Sequence, residues 1–258
     1  MSRHQHVSIE WVCNHSRNSQ LALLNSYIDI ALTYERDQEI VAASEGWSST
    51  AGCIFHDHFC LAGPLSDPAN VRSATSLNEA FTRIAQSASS FHNRADGSAT
   101  MWKERSIWSL CQLEPWSQTT EPPFTWYQTS HSTPPGALIL ADIANAYLLI
   151  DRSTLFRQTV LETIHNTTVF FEPTTSDSIL MNSCYALISP HAPADRTTTV
   201  QDFLQYLFSE KGQHVIQTFG SKDTGGYPLF AAAGEGFAAS SLRGGRPCDG
   251  RWVGASEQ

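Results

Sequence analysis

Segments patterned as β-strands alternate with segments patterned as α-helices along most of this chain. Runs rich in β-branched and aromatic residues predict strands at residues 6–13, 28–34, 58–64, 146–151, 168–173 and 183–190. Apolar residues at helical spacing predict helices at residues 76–88, 101–111, 134–144 and 200–220, with an irregular connection over 112–135. Such alternation is typical of α/β folds, so we expect a mostly parallel sheet divided between two lobes. Ligands of such sheets bind where the strands end and the helices begin.

The composition is that of a globular protein with an acidic net charge. Of 258 residues, 41% are hydrophobic and 16% charged, and the formal net charge is −9. The scattered Lys and Arg argue against a nucleic-acid partner, because phosphate binding needs clustered cations. They do not exclude a small anion, because the binding of a small anion depends on the donors around it and not on the total charge. The most apolar segment, residues 137–150, is short and interrupted by Asp142 and Asn145, so we expect no membrane span. The first residues lack signal-peptide features, which predicts a cytoplasmic protein, or a secreted one if the gene model is truncated.

Motifs for metals, cofactors and common catalytic sites are not found in the sequence. The six cysteines form no C-x-x-C pair, and no Walker loop, nucleophile elbow or H-E-x-x-H occurs. His56 and His58 share one face of a predicted strand, but no partner for them is identifiable, so we expect no metal site. His131 is a single candidate base. The catalytic residues are therefore unknown, no cofactor is predicted, and an enzyme is the less favoured interpretation.

Residues 91–104, "FHNRADGSATMWKE", place charged, hydroxyl and glycine residues just before a predicted helix. The guanidinium of Arg94 suits tetrahedral oxyanions, and Ser98, Thr100 and the helix N-terminus add donors. Alternatively, Asp96 pairs with Arg94 while Ser98 caps the helix, as in many ordinary loops. The residues themselves leave both interpretations open.

Several blocks in fixed order resemble the tungstate-type substrate-binding proteins of ABC importers, a periplasmic-binding-protein-like family, and most closely its fungal members. The pattern R-x-D-x-S-x-T-x-x-x-E, from Arg94 to Glu104, is similar to the family's R-G-D-D-S-G-T-H-x-x-E segment. Further similar blocks are "DIALTYERDQE", "DHFCLAGPLSDPANV", "WYQTSHSTPPGALILADIANAYLLIDRSTL", "FSEKGQHVIQTFG" and "YPLF". The resemblance covers roughly residues 6–230.

The resemblance implies a type II clamshell of two α/β lobes with the ligand in the cleft between them. Lobe 1 would comprise residues 1–64 and 183–258, and lobe 2 residues 65–182, with crossing strands near 59–64 and 183–190. It implies that ligand-binding residues come from both lobes: Arg94, Ser98, Thr100, Thr133, Gly136 and Ser16. For Ser16, and likewise Ser19, capping of the first helix is an alternative role. Asp151 and Arg152 would form a structural pair.

One departure from the family concerns the start of the fold. Family members carry a strand and a Ser/Thr-rich turn before the element matching residues 6–13, so we expect an N-terminally truncated version of the fold. The favoured function is binding of a small anion: tungstate, molybdate or an organic acid. The alternatives are a cytosolic enzyme or accessory factor acting on an organic acid, for example in fungal secondary metabolism, and a relative that binds nothing. An uncovered sheet edge would permit a homodimer.

Overall fold

The computed structural model describes residues 8–117, 125–192, 194–224 and 228–234. The α-helices in these ranges are α1 (Ser16–Leu24), α2 (Arg36–Ser44), α3 (Leu77–Gln86), α4 (Ala99–Leu110), α5 (Pro134–Ala144), α6 (Arg152–Val160), α7 (Ala194–Phe208) and α8 (Glu210–Thr218). The strands are β1 (Ile30–Thr33), β2 (Ser49–Pro64), β3 (Phe91–Asn93), β4 (Tyr127–Thr129), β5 (Tyr147–Asp151), β6 (Thr167–Phe171), β7 (Met181–Ile188) and β8 (Ala231–Ala232). None of the helices described is both long and apolar enough to span a lipid bilayer.

The chain divides into two compact units. The first unit comprises residues 1–54 and 184–213, and the second comprises residues 55–183 and 214–258. Strands β2 and β7 and helix α8 each run through a boundary between the units. The lobe boundaries expected at residues 64 and 183 stay a prediction.

The first unit is built around the pairing of β1 with β7. These strands are antiparallel, with Ile30 opposite Ile188, and α1 packs on β1 through the buried Leu23. The strand predicted at residues 6–13 is wrong for its described part, because residues 8–13 lie outside any strand and Trp11 is 74% exposed. A strand needs a partner for its backbone N–H and C=O groups, and a β-rich composition does not supply one.

The second unit contains a mixed sheet. Strand β3 is parallel to β4 and β5, with Phe91 opposite both Tyr127 and Tyr147. Strand β2 is antiparallel to β5, β6 and β8. The prediction of a mostly parallel sheet is therefore wrong for the described strands. Helical crossovers make β3, β4 and β5 parallel, whereas β2 enters from the first unit and runs in the opposite direction.

Alternate residues of β2 show that this sheet is buried on both faces. Phe59 and Leu61 belong to one apolar cluster, together with Phe91, while Cys60 and Ala62 belong to another. Successive strand residues point to opposite faces, so both faces carry a core. Helices α3 and α4 contribute to the first cluster and α5 and α6 to the second, so helices cover both faces.

Three helix ranges agree with the sequence patterns, while one connection does not. Helix α5 occupies the predicted residues 134–144, and α3 and α4 begin and end within two residues of the predicted ranges 76–88 and 101–111. The predicted irregular stretch 112–135 contains β4, whose three residues gain their strand geometry from pairing with β3. Residues 118–124 of that stretch, and the tail from 235 onward, lie outside the described residues.

Candidate functional site

A helix follows each of the three parallel strands of the second unit, after a short loop in two cases and directly in the third. Helix α4 follows β3, α5 follows β4, and α6 follows β5. The N-terminus of each is capped by a side-chain oxygen that accepts a backbone N–H: Ser98 from Met101 at 3.3 Å, Thr133 from Gly136 at 3.3 Å and Asp151 from Thr154 at 2.8 Å. Neighbouring parallel strands end at the same sheet edge, so the positive ends of α4 and α5 lie at one edge.

A hydrogen bond joins the loops that follow β3 and β4. The N–H of Ser130 donates to the carbonyl of Asn93 at 2.9 Å, where the ladder that pairs Asn93 with Thr129 ends. Arg94 and Ser130 are thus the equivalent next residues on two paired strands. The structure brings their loops together although the residues lie far apart in the sequence.

Arg94 is a buried cation that pairs with Asp96. Its side chain is 9% exposed, and its Nη2 donates to the Asp96 carboxylate. The Nε of Arg94 is buried without a hydrogen-bond partner among the described residues. Since a guanidinium N–H normally finds an acceptor when it is buried, this donor is available to an acceptor from outside the chain, either a water molecule or an anion.

Asp96 positions Arg94 and the start of α4. Its Oδ1 accepts the N–H of Ser98 at 3.0 Å, and its other oxygen accepts Arg94. Partial burial raises the pKa of Asp96, but hydrogen bonds from Ser98 and the charge of Arg94 outweigh it, so the pKa lies below its usual value. The carboxylate is ionised at neutral pH and acts as a brace.

Ser130 is a candidate that the sequence analysis missed. Its hydroxyl is buried without a hydrogen-bond partner among the described residues. No local motif marks it, and only its place after β4, beside the loop of Arg94, reveals it. Thr100, which was predicted, is buried at the second residue of α4.

The other predicted site residues have identifiable local roles. Thr133 is exposed and caps α5. A Cβ on Gly136 would lie 2.3 Å from the Oγ of Ser132, so glycine permits this close approach. Ser16 lies in the first unit, where its Oγ accepts the N–H of Tyr34 at 3.1 Å. The capping role is wrong for Ser16 and Ser19, because α1 begins at Ser16 with His15 as its N-cap.

The side chains of His56 and Arg152 hold the second unit together. The His56 Nδ1 lies 2.7 Å from the Ser183 hydroxyl, and its Nε2 lies 3.1 Å from the Ala233 carbonyl oxygen. The Nη1 of Arg152 donates to the carbonyl oxygens of Pro228 and Leu229 at 3.2 and 3.0 Å. These contacts are structural.

Glu104 supports the Arg94 loop from within the core. Its carboxylate accepts hydrogen bonds from Asn93 at 2.6 Å, Tyr127 at 2.8 Å and Trp108 at 3.1 Å. Asn93 in turn accepts the N–H of Ala95 at 2.6 Å. A buried network therefore fixes the loop between β3 and α4, and burial raises the pKa of Glu104 to about 7.

Stability should fall as pH rises from about 4.5 to about 7, because of Glu104. The unfolded chain loses this proton near the usual pKa of 4.5, whereas the folded chain keeps it up to about 7. The stabilisation is complete below 4.5 and is lost as pH rises through about 7. Between pH 6 and 8 this carboxyl lowers the free energy of unfolding by roughly 1.4 kcal/mol.

Urea denaturation of wild type and Glu104→Gln at pH 6 and 8 checks this expectation. Gln resembles the carboxyl in shape and cannot ionise, so the pH dependence of the Glu104→Gln variant should be smaller by that amount. Equal pH dependence in the two proteins would assign the effect to other groups.

Comparisons with known proteins agree with this architecture. Residues 1–211 match the family described as PBP superfamily domain. A Haloferax volcanii protein named as an ABC transporter anion-binding protein is 26% identical over 202 residues, which make up 76% of this chain and 55% of the relative. This chain therefore spans about half the length of that curated relative.

Solved structures show the same fold. A periplasmic protein named as a metal-binding protein superposes with a TM-score of 0.74 at 25% identity, with 85% of this chain and 82% of that chain covered. The tungstate-binding protein TupA from Desulfovibrio alaskensis superposes with a TM-score of 0.69 at 22% identity, with 86% of each chain covered. Because the family match takes in more than half of the chain, the protein belongs to the periplasmic-binding-protein (PBP) superfamily domain family, and its mixed α/β structure is of the type II substrate-binding class.

Proposed function

We propose that this protein binds a small oxyanion at the edge of the second unit's sheet where β3 and β4 end. The observation that carries the proposal is Arg94, a buried arginine whose Nε has no hydrogen-bond partner among the described residues. Beside it, Ser130 offers a buried hydroxyl in the same condition. Both follow strands whose next helices present N-terminal N–H groups, which attract anions.

The donors of the site suit a fully ionised oxyanion. The Arg94 N–H and the helix N–H groups can only donate, and the two carboxylate oxygens of Asp96 already accept from Arg94 and Ser98. The Ser130 hydroxyl can donate or accept. A dianion such as tungstate, molybdate or sulfate can accept a hydrogen bond from each donor, whereas hydrogen phosphate would use the Ser130 hydroxyl as the acceptor for its proton and lose it as a donor.

Relatives support the same class of ligand. The Haloferax volcanii relative is named for anion binding, and the Desulfovibrio alaskensis structure is a tungstate-binding protein. Within the proposed class we favour tungstate and molybdate. The net charge of −9 does not oppose this, because the site is defined by donors within a few ångströms of the ion.

Titration calorimetry with tungstate, molybdate, sulfate and phosphate tests the proposal. We expect Arg94→Ala to weaken oxyanion binding by about 10–100-fold, since a hydrogen bond to a charged group contributes about 1.5–3 kcal/mol. Ser130→Ala removes a single neutral donor and should weaken binding about tenfold or less. Arg157→Ala, a change at a half-exposed arginine of α6, is the matched control and should bind like wild type.

The folded state of each variant is checked by its melting temperature without ligand, because removing Arg94 leaves Asp96 without its cation. The proposal would be overturned if the wild-type protein bound none of the four oxyanions. It would also be overturned if the wild type and Arg94→Ala bound them equally well. Binding of dicarboxylates alone would favour the enzyme or accessory factor acting on an organic acid.

A further inference from the structure

A second group of functional side chains lies on the β2–β6 side of the second unit's sheet. His58 and Cys60 are alternate residues of β2 and therefore point to the same face. Strand β6 is antiparallel to β2, with Leu61 opposite Phe171, so the next residue, Glu172, comes beside them. One ligand atom from each of the three lies within 4.8 Å of the others, and His58 Nε2 is 3.6 Å from Glu172 Oε2.

This His58–Cys60–Glu172 group is enclosed by protein. His58 is 1% exposed, Cys60 is fully buried, and the Glu172 side chain is 10% exposed. Transfer of an ionisable carboxyl and an imidazole into such surroundings costs free energy unless they are paired or coordinated. The charge of Arg152 also acts on His58 and Cys60. A His58–Glu172 pair beside a thiol accounts for the group without a metal, and a metal cation bound by all three residues is the alternative.

The spacing fits a tetrahedral metal ion. Zinc lies about 2.0–2.3 Å from nitrogen, oxygen and sulfur ligands, so two ligands of one tetrahedral ion lie about 3.3–3.8 Å apart. The 3.6 Å between His58 Nε2 and Glu172 Oε2 is close to the roughly 3.3–3.5 Å expected for one nitrogen and one oxygen ligand. Small side-chain shifts would bring this pair, and the trio with its 4.8 Å limit, to the ligand spacing of a zinc ion. A thiolate and an imidazole select zinc over magnesium or calcium.

We propose that His58, Cys60 and Glu172 form a zinc site with three protein ligands and a fourth position open to water or another donor. Such a site would tie β2 to the end of β6. It stands apart from the proposed oxyanion site, whose residues follow β3 and β4, and neither proposal depends on the other. No metal site is predicted from the sequence, because Glu172 is far from His58 along the chain and comes beside it only through the β2–β6 pairing.

Metal content and cobalt spectroscopy test the site. The reduced full chain is incubated with Zn²⁺, freed of excess metal over a weak chelator and measured by mass spectrometry, with about one zinc per chain expected. Replacement by Co²⁺ should give strong visible bands from a tetrahedral ion and a near-ultraviolet thiolate-to-cobalt band. The thiolate band reports Cys60 directly.

Variants separate this site from adventitious binding. We expect Cys60→Ser to lose the thiolate band and to bind Zn²⁺ at least about 100-fold more weakly, because even changes around a metal's ligands cost 10–100-fold. Glu172→Gln, at the most exposed member of the group, should weaken binding while leaving the fold intact. Cys184→Ser alters an equally buried cysteine of the first unit and should bind like wild type.

Two results would overturn the proposal: a wild-type protein that does not retain zinc, and a Cys60→Ser variant that binds zinc as tightly as Cys184→Ser does. In either case the group would be an ion pair beside a thiol. The Arg94→Ala variant should still bind zinc. A failure of the oxyanion proposal can therefore be distinguished from a failure of the zinc proposal.

Discussion

Trp108→Ala is expected to lower the free energy of unfolding by about 4 kcal/mol, the middle of the range for removing a large buried aromatic side chain. Trp108 is fully buried in an aromatic cluster of the second unit. Its ring centre lies 4.6 Å from that of Phe81, 5.2 Å from Phe91 and 5.4 Å from Trp126. Alanine would leave a cavity that these rings, held by their own strands and helices, could only partly fill.

The same change also removes a donor from the Glu104 network. The indole Nε1 of Trp108 donates to Glu104 at 3.1 Å, while Asn93 and Tyr127 supply the other hydrogen bonds. Loss of one donor to a buried carboxyl adds to the cost and loosens the residue that fixes the Arg94 loop. Oxyanion binding by Trp108→Ala should therefore weaken along with its stability.

Chemical denaturation measures this effect, with two companion variants. Trp108→Phe keeps most of the apolar contact but loses the N–H, so its cost should be less than half that of Trp108→Ala. Trp11→Ala changes a tryptophan that is 74% exposed, and its effect should stay within about 0.5 kcal/mol. A Trp108→Ala protein no less stable than Trp11→Ala would show that the aromatic cluster does not support the unit.

The features most accessible from the sequence were local ones. Helix α5 was predicted at its observed residues because its apolar spacing and the Thr133-Pro134 start are encoded within one segment. Ser98 and Asp96 likewise perform the capping and bracing roles that their spacing in the loop indicated. The α/β class is confirmed for the same reason. The alternation of strand-like and helix-like periodicity does not depend on the order of the strands in the sheet.

The features that the sequence could not supply are pairings between distant segments. Ser130 became a site candidate only when β4 paired with β3, and the direction of β2 depends on which strand it meets. Glu172 reaches His58 for the same reason, through the β2–β6 pairing. Which strands pair, and in which register, is decided by tertiary packing. A single sequence contains little information about it.

The Arg94 loop had two interpretations in sequence, and the structure contains parts of both. The Arg94–Asp96 pair and the Ser98 cap are those of an ordinary loop. Beyond these, the Arg94 Nε is buried without a hydrogen-bond partner in the described part of the chain, and the loop hydrogen-bonded to this one carries the Ser130 hydroxyl in the same state. That difference depends on solvent exclusion by neighbouring elements, which no residue pattern within the loop encodes.

Gly63→Ala is expected to lower the free energy of unfolding by about 3 kcal/mol, at the upper end for overpacking a core. Gly63 lies on β2, and a Cβ there would come within 2.2, 2.7 and 3.0 Å of three ring atoms of Tyr147. Tyr147 is fully buried, and its hydroxyl donates to Asp67 at 2.7 Å and accepts the N–H of Ala69 at 3.1 Å. The ring is anchored at its far end, so β2 or β5 has to move instead.

A double-mutant cycle identifies the clash as the cause. Gly234→Ala is the matched control, because a Cβ at Gly234 meets no atom within 4 Å, and its effect should be small. If the ring of Tyr147 causes the loss, Gly63→Ala should cost at least about 1 kcal/mol less in a Tyr147→Leu background than in wild type. Equal costs in both backgrounds would mean that Gly63 is needed for its backbone conformation and not because it lacks a side chain that would contact Tyr147.

The same substitution should also affect oxyanion binding. Because β5 pairs with β3, which precedes the Arg94 loop, displacement of β5 by Gly63→Ala should weaken oxyanion binding, whereas Gly234→Ala should leave it unchanged.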